Sequence, residues 1–263
     1  FGGRLQFFVS GSAPLSKEVA EFFEAVGVVI CEGYGLTESS AATHVNMPWA
    51  RKIGTVGPAL PGTEVRIAED GEVLMRGPWI MRGYRGLPEE TREALDPEGW
   101  LHTGDVGHVD ADGFLSITDR KKDLIKTSGG KYVAPTELEG RLKSLSPYVS
   151  QVVVHGDRRN YVTALVTLDP EALRRWAEQN GAAGQDVAQL AQASEVRALV
   201  QRAVDQLNAT LPRFATVKRF TILRRELSQE AGEVTPSQKV KRKLVEQRYR
   251  AELDAMYRDP LGG

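Results

Sequence analysis

The sequence predicts an α/β protein: a truncated large domain, built from a βαβ piece and a small antiparallel sheet or barrel, followed by a smaller mobile α+β domain. Three observations carry this prediction. Residues 4–31 have the pattern of a strand, a loop, a helix and a second strand, which is typical of a parallel βαβ unit. Short strands broken at glycines continue to about residue 118. After residue 131, most of the chain has the apolar spacing of helices, with one pair of strands between them.

The composition is that of a globular protein with two domains. At 263 residues, and with roughly 150 residues per domain, about two domains are expected. The 34 basic and 35 acidic side chains leave a net charge of −1, so the chain as a whole does not attract nucleic acid or an anionic membrane. The single cysteine, Cys31, excludes an intrachain disulfide and fits a reducing compartment, which predicts a cytoplasmic location.

The start of the chain and its apolar runs also bear on its class. The chain begins at Phe1 rather than methionine and opens directly into a strand-like segment, so we expect it to be a piece of a longer protein. The longest apolar runs, such as residues 26–31 and 161–168, are far shorter than the roughly 20 residues that span a bilayer. No signal peptide and no transmembrane helix is predicted.

The first elements follow from their local chemistry. Residues 4–9 are apolar and extended, residues 10–14 form a small-residue turn, and Ser16 suits the N-cap of the helix that follows. Residues 28–31 then form an apolar strand that we expect to be buried. Because ligands bind at the carboxyl ends of parallel strands, the loops at residues 10–14 and 32–39 are candidate binding segments.

The second of these loops carries several side chains with distinct chemistry. Its glycines allow close backbone approach, and Tyr34 offers a flat aromatic face. Thr37 supplies a hydroxyl, and Glu38 supplies a hard oxygen ligand that suits Mg²⁺. Each has a structural alternative, because Thr37 could cap a helix and Glu38 could favour its first turn.

Short strands separated by glycine-containing turns are predicted next. The clearest are residues 64–68, 71–76 and 114–118. Between the second and the third, Asp105 follows Gly104 in a predicted loop. A carboxylate held there could accept both hydroxyls of a ribose, and the alternative is an ordinary turn residue.

The segment from Ile117 to Lys131 separates two kinds of sequence. Ile117 is predicted to end a strand, and residues 119–123 then place five consecutive charges outside any strand or helix. Ser128-Gly129-Gly130 provides a backbone that can adopt positive φ. Charge followed by a glycine pivot is what a mobile connection between domains needs. A solvated turn with a flexible tip is the alternative.

The remaining elements are predicted from periodicity and turn residues. They are a helix with Pro135 near its start and Leu138, Leu142 and Leu145 on one face, strands at 151–155 and 161–168, a helix at 171–179, a helix at 194–210 with an apolar core stripe, a strand at 217–223, and a basic amphipathic helix at 240–257.

Several motifs in this order resemble those of one known family. They are Ser10-Gly11-Ser12-Ala13-Pro14-Leu15, Tyr34-Gly35-Leu36-Thr37-Glu38-Ser39, Gly71-Glu72-Val73-Leu74-Met75-Arg76-Gly77-Pro78, His102-Thr103-Gly104-Asp105, Asp119-Arg120-Lys121-Lys122-Asp123, Leu211-Pro212 and Lys239-Val240-Lys241-Arg242. The chain resembles the carboxyl-terminal half of an acyl-CoA synthetase of the adenylate-forming superfamily, most closely the long-chain fatty acid CoA ligases. The matches cover most of the chain.

The resemblance implies an ATP-dependent acid–thiol ligase that uses ATP, Mg²⁺ and CoA. Such an enzyme joins a carboxylate to ATP, releases pyrophosphate, and transfers the acyl group from AMP to the thiol of CoA. The implied nucleotide contacts are Ser12, Ala13 and Pro14 with Gly33, Tyr34 and Gly35 around the adenine, Tyr34 against its face, Thr37 at phosphate, Glu38 at Mg²⁺, Asp105 at the ribose, and Arg120 at the ribose or phosphate.

The resemblance also assigns a catalytic lysine and a rotating domain. Lys239 would stabilise the charge of the adenylation step, alongside Thr37 and Glu38, although Gln238 stands where the family usually has glycine. The alternative for Lys239 is one exposed cation among several. In a second pose, Gly129 and Gly130 would line the path of the CoA pantetheine. The implied hinge is Lys122, so the predicted domains are residues 1–121 and 122–263.

Three classes of function remain open from the sequence. The family's Ser/Thr/Gly-rich phosphate loop and most of its acyl pocket are absent from these residues, so we expect this portion of a fatty acid CoA ligase to be inactive alone. The second option is an acyl-AMP ligase that delivers its acyl group to a carrier protein. The third is a non-catalytic anion-binding module that uses the cations between Lys239 and Arg250.

The expected partners are a fatty acid, ATP and CoA, without nucleic acid. Peripheral membrane association of the full-length enzyme stays open, as do the acyl chain length, the oligomeric state and the domain pose. The histidines, which are His44, His102, His108 and His155, lack the spacing of metal ligands.

Overall fold

The computed structural model describes residues 1–236 and 239–258. The chain divides into two compact units, residues 1–123 and residues 124–263. Each unit has its own sheets and its own buried apolar residues.

The first unit combines a short βαβ segment with antiparallel strands. Its elements are β1 (Phe8–Ser10), α1 (Lys17–Ala25), β2 (Ile30–Leu36), β3 (Ala41–Val45), β4 (Gly57–Pro58), β5 (Glu64–Ile67), β6 (Glu72–Arg76), α2 (Pro88–Ala94), β7 (Leu101–Val109) and β8 (Phe114–Arg120), with 3₁₀ turns at Thr37–Ser39 and Lys121–Asp123.

The predicted βαβ piece is confirmed. Strand β1 pairs in parallel with β2, with Phe8 opposite Ile30. Ser16 caps α1 as expected, because its hydroxyl accepts a hydrogen bond of 3.1 Å from the Val19 N–H. Such a cap satisfies one of the N–H groups that the first helical turn leaves unpaired.

Residues 32–36 form the end of β2, so the predicted loop over this stretch is wrong. They pair with β3 in antiparallel fashion, with Gly33 opposite Val45. The two strands approach so closely that a Cβ on Gly35 would lie 1.9 Å from the Ala41 carbonyl oxygen. Glycine at position 35 is therefore required by the pairing of the strands, a long-range contact that the local pattern does not show.

The predicted antiparallel strands form one sheet in the order β4-β8-β7-β6-β5. Strands β4 and β5 are its two edges, so of the two predicted options, sheet or barrel, the structure shows an open sheet. Val73, Met75 and Leu115 are fully buried in its core. The strands predicted around these residues are confirmed.

Two polar stretches predicted outside regular structure lie within this sheet. Asp105 is in β7 rather than in a loop, and Asp119 and Arg120 extend β8 beyond Ile117. The two strands pair so that Asp105 is opposite Arg120. Charged residues are tolerated in these strands because opposite charges on neighbouring strands face each other, which a reading of one segment at a time cannot detect.

The second unit is an α+β arrangement, as predicted. Its described elements are β9 (Ile125–Lys126), β10 (Tyr132–Val133), α3 (Pro135–Ser144), β11 (Val149–His155), β12 (Val162–Leu168), α4 (Pro170–Gln179), α5 (Val187–Leu190), α6 (Ser194–Asn208), β13 (Val217–Ile222), α7 (Arg242–Arg248) and α8 (Arg250–Ala255), with a 3₁₀ turn at Arg213–Ala215.

The core of the second unit surrounds β12, which is buried along its whole length. Strand β12 lies between β11, antiparallel to it, and β13, parallel to it. The predicted apolar stripe of α6 is buried in this core except for Leu199, which is half-buried. Leu145, predicted on the apolar face of α3, is 40% exposed because it follows the last turn of the helix.

The predicted helix over residues 240–257 is wrong in its extent. Val240 forms a β-bridge with Val234, and the helical part is divided into α7 and α8 at Tyr249. At Tyr249 the backbone angles are φ −100° and ψ 27°, which lie outside the helical region. Over the part of the chain that is described, no helix is both long enough and apolar enough to cross a bilayer.

Candidate active site

Three predicted site residues meet on the strands of the first unit. The Tyr34 hydroxyl donates a 2.6 Å hydrogen bond to Oδ2 of Asp105. Arg120 places its Nε 3.2 Å from the other carboxylate oxygen, Oδ1. Asp105 is 4% exposed, so its negative charge is buried but compensated by a hydroxyl and a guanidinium.

Tyr34 is held as a neutral hydrogen-bond donor. Burial raises the pKa of the Tyr34 phenol, and the charge of Asp105 raises it further. Its ring packs against the core of the antiparallel sheet and lies 6.1 Å, between ring centroids, from the imidazole of His44. Burial lowers the pKa of His44 to about 4, so this neighbour is uncharged near neutral pH.

The predicted adenine loop lies beside the middle of β2. It follows the carboxyl end of β1, and the Leu15 N–H donates a 3.3 Å hydrogen bond to Oε1 of Glu32. A Cβ on Gly11 would lie 3.2 Å from the Gly33 carbonyl oxygen. Ser12 has a φ of 65°. The structure thus brings the loop containing Ser12, Ala13 and Pro14 next to the strand that carries Gly33, Tyr34 and Gly35.

Thr37 and Glu38 lie in the 3₁₀ turn that follows β2. The Tyr84 hydroxyl donates a 2.7 Å hydrogen bond to Oε1 of Glu38, and the Met81 N–H donates to the Glu38 carbonyl at 2.8 Å. The hydrogen bond between the Tyr84 hydroxyl and the Glu38 carboxylate is the largest cause of the raised pKa of Tyr84. Sequence reasoning missed Tyr84, because 46 residues separate it from Glu38 and no local pattern relates the two.

Glu38 suits one ligand position of a magnesium ion. No group of three or more His, Cys, Asp or Glu side chains able to hold a metal occurs among residues 1–236 and 239–258. Mg²⁺ is commonly held by one or two carboxylates, with phosphate oxygens and water completing its octahedron. The partly exposed carboxylate of Glu38 fits that pattern.

A second buried carboxylate, Glu72, contacts the residues next to Asp105 and Arg120. The sequence motif that contains Glu72 was assigned no role at the site. Glu72 is 4% exposed. The Gly104 N–H donates to its Oε1 at 2.9 Å, and Lys121 Nζ donates to its Oε2 at 2.8 Å. His102 Nδ1 lies 3.1 Å from Oε2. Burial raises the pKa of Glu72, but the three partners outweigh it and the pKa is lowered.

A cationic depression lies next to Asp105. Its volume is about 410 Å³, and it is lined by Thr103, Gly104, Arg120, Lys121 and Lys122. The predicted hinge residue, Lys122, is exposed at this surface. Three of the five lining residues are basic, so the depression favours an anionic group such as a phosphate.

Lys239 belongs to the second unit, where its backbone is hydrogen-bonded to Thr235. The Thr235 N–H donates to the Lys239 carbonyl at 2.8 Å, and the Lys239 N–H donates to Thr235 Oγ1 at 3.0 Å. The Lys239 side chain is exposed. Gln238, which departs from the family's usual glycine, lies outside the described residues.

A third buried carboxylate, Glu233, lies two residues before Thr235 and is fully buried. Arg225 donates to both of its oxygens at 2.7 Å, and Arg248 donates to Oε1 at 2.8 Å. The Lys241 N–H donates to the Glu233 carbonyl at 2.8 Å. Burial raises the pKa of Glu233, but the arginines outweigh burial and hold it at about 2.

Gly129 and Gly130 lie at the tip between β9 and β10, also in the second unit. Gly130 has a φ of 74°, which favours glycine. The Ser128 N–H donates a 2.9 Å hydrogen bond to the Arg159 carbonyl. The structure therefore places the predicted pantetheine-contacting glycines and Lys239 in one unit, and the predicted nucleotide-contacting residues from Ser12 to Arg120 in the other.

Family models match both units. The model of the AMP-binding enzymes matches residues 1–85, and the model of the AMP-binding enzyme C-terminal domain matches residues 122–260. A curated relative is the long-chain-fatty-acid–CoA ligase of Mycobacterium tuberculosis, with 42% identity over 257 residues. The match covers 97% of this chain and 42% of that relative. The chain thus spans less than half the length of this relative.

Solved structures agree with these matches. The adenylation domain of a carboxylate reductase from Mycobacterium chelonae is similar with a TM-score of 0.76 and 28% identity, covering 98% of this chain and 40% of that one. The adenylation domain of a carboxylic acid reductase from Segniliparus rugosus, solved with AMP and a co-purified carboxylic acid, has a TM-score of 0.73 and 29% identity. That match covers 97% of this chain and 40% of the other.

Proposed function

Because the chain belongs to the AMP-binding enzyme family of the adenylate-forming superfamily, we propose that it is the carboxyl-terminal portion of a long-chain fatty acid CoA ligase. The complete enzyme would adenylate a fatty acid with ATP and then transfer the acyl group to CoA. The observation that carries the proposal is the 42% identity to a long-chain-fatty-acid–CoA ligase over 97% of this chain.

Asp105 is proposed to bind the ribose of ATP. Its Oδ2 already accepts a hydrogen bond from Tyr34, and its Oδ1 forms an ion pair with Arg120. A carboxylate offers about four acceptor positions, so both oxygens can also accept a ribose hydroxyl. Tyr34 and Arg120 fix the orientation of the carboxylate, and the basic depression beside Arg120 is suited to phosphate.

Thr37 and Glu38 are proposed to bind the phosphate end of the nucleotide. Magnesium bound there would neutralise charge on the phosphates. Tyr84 holds Oε1 of Glu38 and so restricts the orientation of this carboxylate.

Lys239 is proposed as the cation of the adenylation step. Negative charge builds on the α-phosphate as the carboxylate attacks it, so a cation at that position stabilises the transition state more than the ground state. Hydrogen bonds to Thr235 hold the Lys239 backbone, and a hydrogen bond from the Lys241 N–H to the Glu233 carbonyl holds the backbone that follows it.

The 263-residue chain is proposed to be inactive on its own. It spans 42% of the length of the relative from M. tuberculosis, and its sequence lacks the phosphate loop that such ligases use. We expect no pyrophosphate release from this chain with ATP, magnesium and a fatty acid. Measurable release would contradict this part of the proposal.

The function is tested with the chain joined to its amino-terminal part. Pyrophosphate release is measured with a series of fatty acids, first without CoA and then with it. We expect release that depends on the fatty acid and acyl-CoA formation when CoA is present. Acyl transfer to a carrier protein but not to CoA would favour the acyl-AMP ligase instead, and absence of fatty-acid-dependent release would reject both.

A further inference from the structure

Glu72 connects the two strands that carry the proposed ribose site. It is the first residue of β6, and its side chain is 4% exposed. Its Oε1 accepts from the Gly104 N–H at 2.9 Å in β7, and its Oε2 accepts from Lys121 Nζ at 2.8 Å, directly after β8. One carboxylate thus holds residues from two neighbouring segments.

The partners of Glu72 adjoin the residues that hold the ribose site. Gly104 precedes Asp105, and Lys121 follows Arg120. Asp105 and Arg120 are opposite each other in the strand pairing and form an ion pair of 3.2 Å. Glu72 therefore fastens the Asp105–Arg120 pair on both sides, through the residue before one member and the residue after the other.

Stability alone does not account for a carboxylate at this position. A buried ion pair is often no more stabilising than well-packed apolar side chains of similar volume, since both charges lose their hydration. Lys121 also has a solvent-exposed partner, Asp70, at 2.7 Å, so its charge does not depend on Glu72. What Glu72 adds is a fixed, buried attachment point with directional bonds.

We infer that Glu72 is a positioning residue for nucleotide binding. It holds Gly104 and Lys121 so that Asp105 and Arg120 keep the geometry that receives the ribose and phosphate. This inference rests on the proposed function, and it assigns a role to the Gly71-Glu72 motif, which that function leaves without one. Glu72 itself acts through its neighbours, without touching the nucleotide.

The test compares Glu72→Gln with Asp70→Asn in the complete enzyme. Glutamine keeps the volume and one acceptor but removes the charge that Lys121 and His102 contact. Asparagine keeps the Asp70 Oδ1 acceptor for the Glu72 N–H, at 3.2 Å, and removes the exposed charge next to the same lysine. Lys121 forms ion pairs with two carboxylates, and each variant neutralises a different one of them.

We expect Glu72→Gln to raise the KM for ATP about tenfold and to leave the KM for the fatty acid unchanged. Asp70→Asn should leave both unchanged. A merely structural defect would lower the active fraction, and hence kcat, without this selective change in KM. Equal KM values for ATP in the two variants would overturn the inference.

Lys121→Met and amide hydrogen exchange provide two further tests of the positioning role. If Glu72→Gln does not fold, Lys121→Met replaces it, and an unchanged KM for ATP in Lys121→Met overturns the inference. Amide hydrogen exchange over residues 101–121 should be faster in the folded variant than in Asp70→Asn, and equal exchange would count against the positioning role. Because exchange requires no activity, it is informative even if fatty-acid-dependent pyrophosphate release, and with it the proposed function, fails.

Discussion

At the scale of single residues, three buried carboxylates share one design. Asp105, Glu72 and Glu233 are each at most 4% exposed, and each is paired with arginine or lysine. An isolated buried charge would be strongly destabilising. Each carboxylate therefore depends on its ion-pair partners, and replacing it measures what those ion pairs contribute to stability or to binding.

Glu233 provides a pH-dependent prediction. Its pKa is about 2 in the folded chain, below the ordinary value of about 4.3 for the unfolded chain. Its contribution to the free energy of unfolding is therefore fully present above about pH 4.3 and is lost as the pH falls towards 2. Because Arg225 and Arg248 are 49% and 41% exposed, water screens the pairs, and we expect a contribution of about 2 kcal/mol.

Glu233→Gln should lose this amount at pH 7 and show a weaker dependence on pH between about 4.3 and 2. Urea unfolding followed by circular dichroism, at a series of pH values, measures both effects. Glu230→Gln, an exposed position nearby, is the control and should match the unmodified chain. Equal stability of the two variants at pH 7 would show that the buried ion pairs contribute nothing.

Lys239 provides the catalytic prediction at this scale. In the complete enzyme, Lys239→Ala should reduce adenylation by about 10²- to 10³-fold, because it removes a charge that stabilises the transition state. Thioester formation from supplied acyl-AMP should be spared. Lys243→Ala, which removes an exposed cation from α7, should leave adenylation unchanged. A parallel loss of both steps in Lys239→Ala would argue against the proposed role.

At the scale of elements, the glycines of β2 have different tasks. A Cβ on Gly35 would lie 1.9 Å from the Ala41 carbonyl oxygen, whereas a Cβ on Gly33 would lie 3.5 Å from the His44 carbonyl oxygen. The first distance requires the backbones to separate, and the second is an ordinary contact. Strand pairing thus requires glycine at position 35 but does not require it at position 33.

Gly35→Ala should therefore destabilise the first unit by about 3 kcal/mol through overpacking, and Gly33→Ala should have a much smaller effect. Urea unfolding of the two variants, compared with the unmodified chain, measures the difference. Equal stability of the two variants would mean that β2 and β3 can move apart without cost.

At the scale of the whole molecule, the division into units bears on the proposed rotation. The first compact unit ends at Asp123, and the C-terminal family model begins at Lys122. Lys121 is bonded to Asp70 and Glu72 within the first unit. The boundary at Lys122 remains a prediction. The ion pairs of Lys121 to Asp70 and Glu72 hold the residue directly before it within the first unit.

Proline at position 122 tests the hinge. Proline fixes φ and restricts the preceding residue, so Lys122→Pro should trap one pose and impair one of the two half-reactions more than the other. Lys122→Ala removes the side chain but keeps the backbone free, and it should retain both. Adenylation and thioester formation are measured separately in the complete enzyme. Equal retention of both by Lys122→Pro would contradict a hinge at this position.

Sequence motifs and apolar periodicity were sufficient to predict the family, the α/β class and many of the helices and strands. The spacing of apolar residues determines α6 and its buried stripe, Pro135 marks the start of α3, and Ser16 caps α1. These features depend on neighbours within a few residues of one another, which any stretch of sequence displays directly.

The tertiary structure alone decided which distant residues meet. Tyr34 lies 71 residues from Asp105, and Glu72 lies 32 and 49 residues from the partners at Gly104 and Lys121. The same pairing of strands places residues 32–36 in β2 and Asp105 in β7, although both were predicted to lie in loops. Strand pairing and burial of charge depend on residues far apart in the chain, so they emerge only when the sheet is assembled.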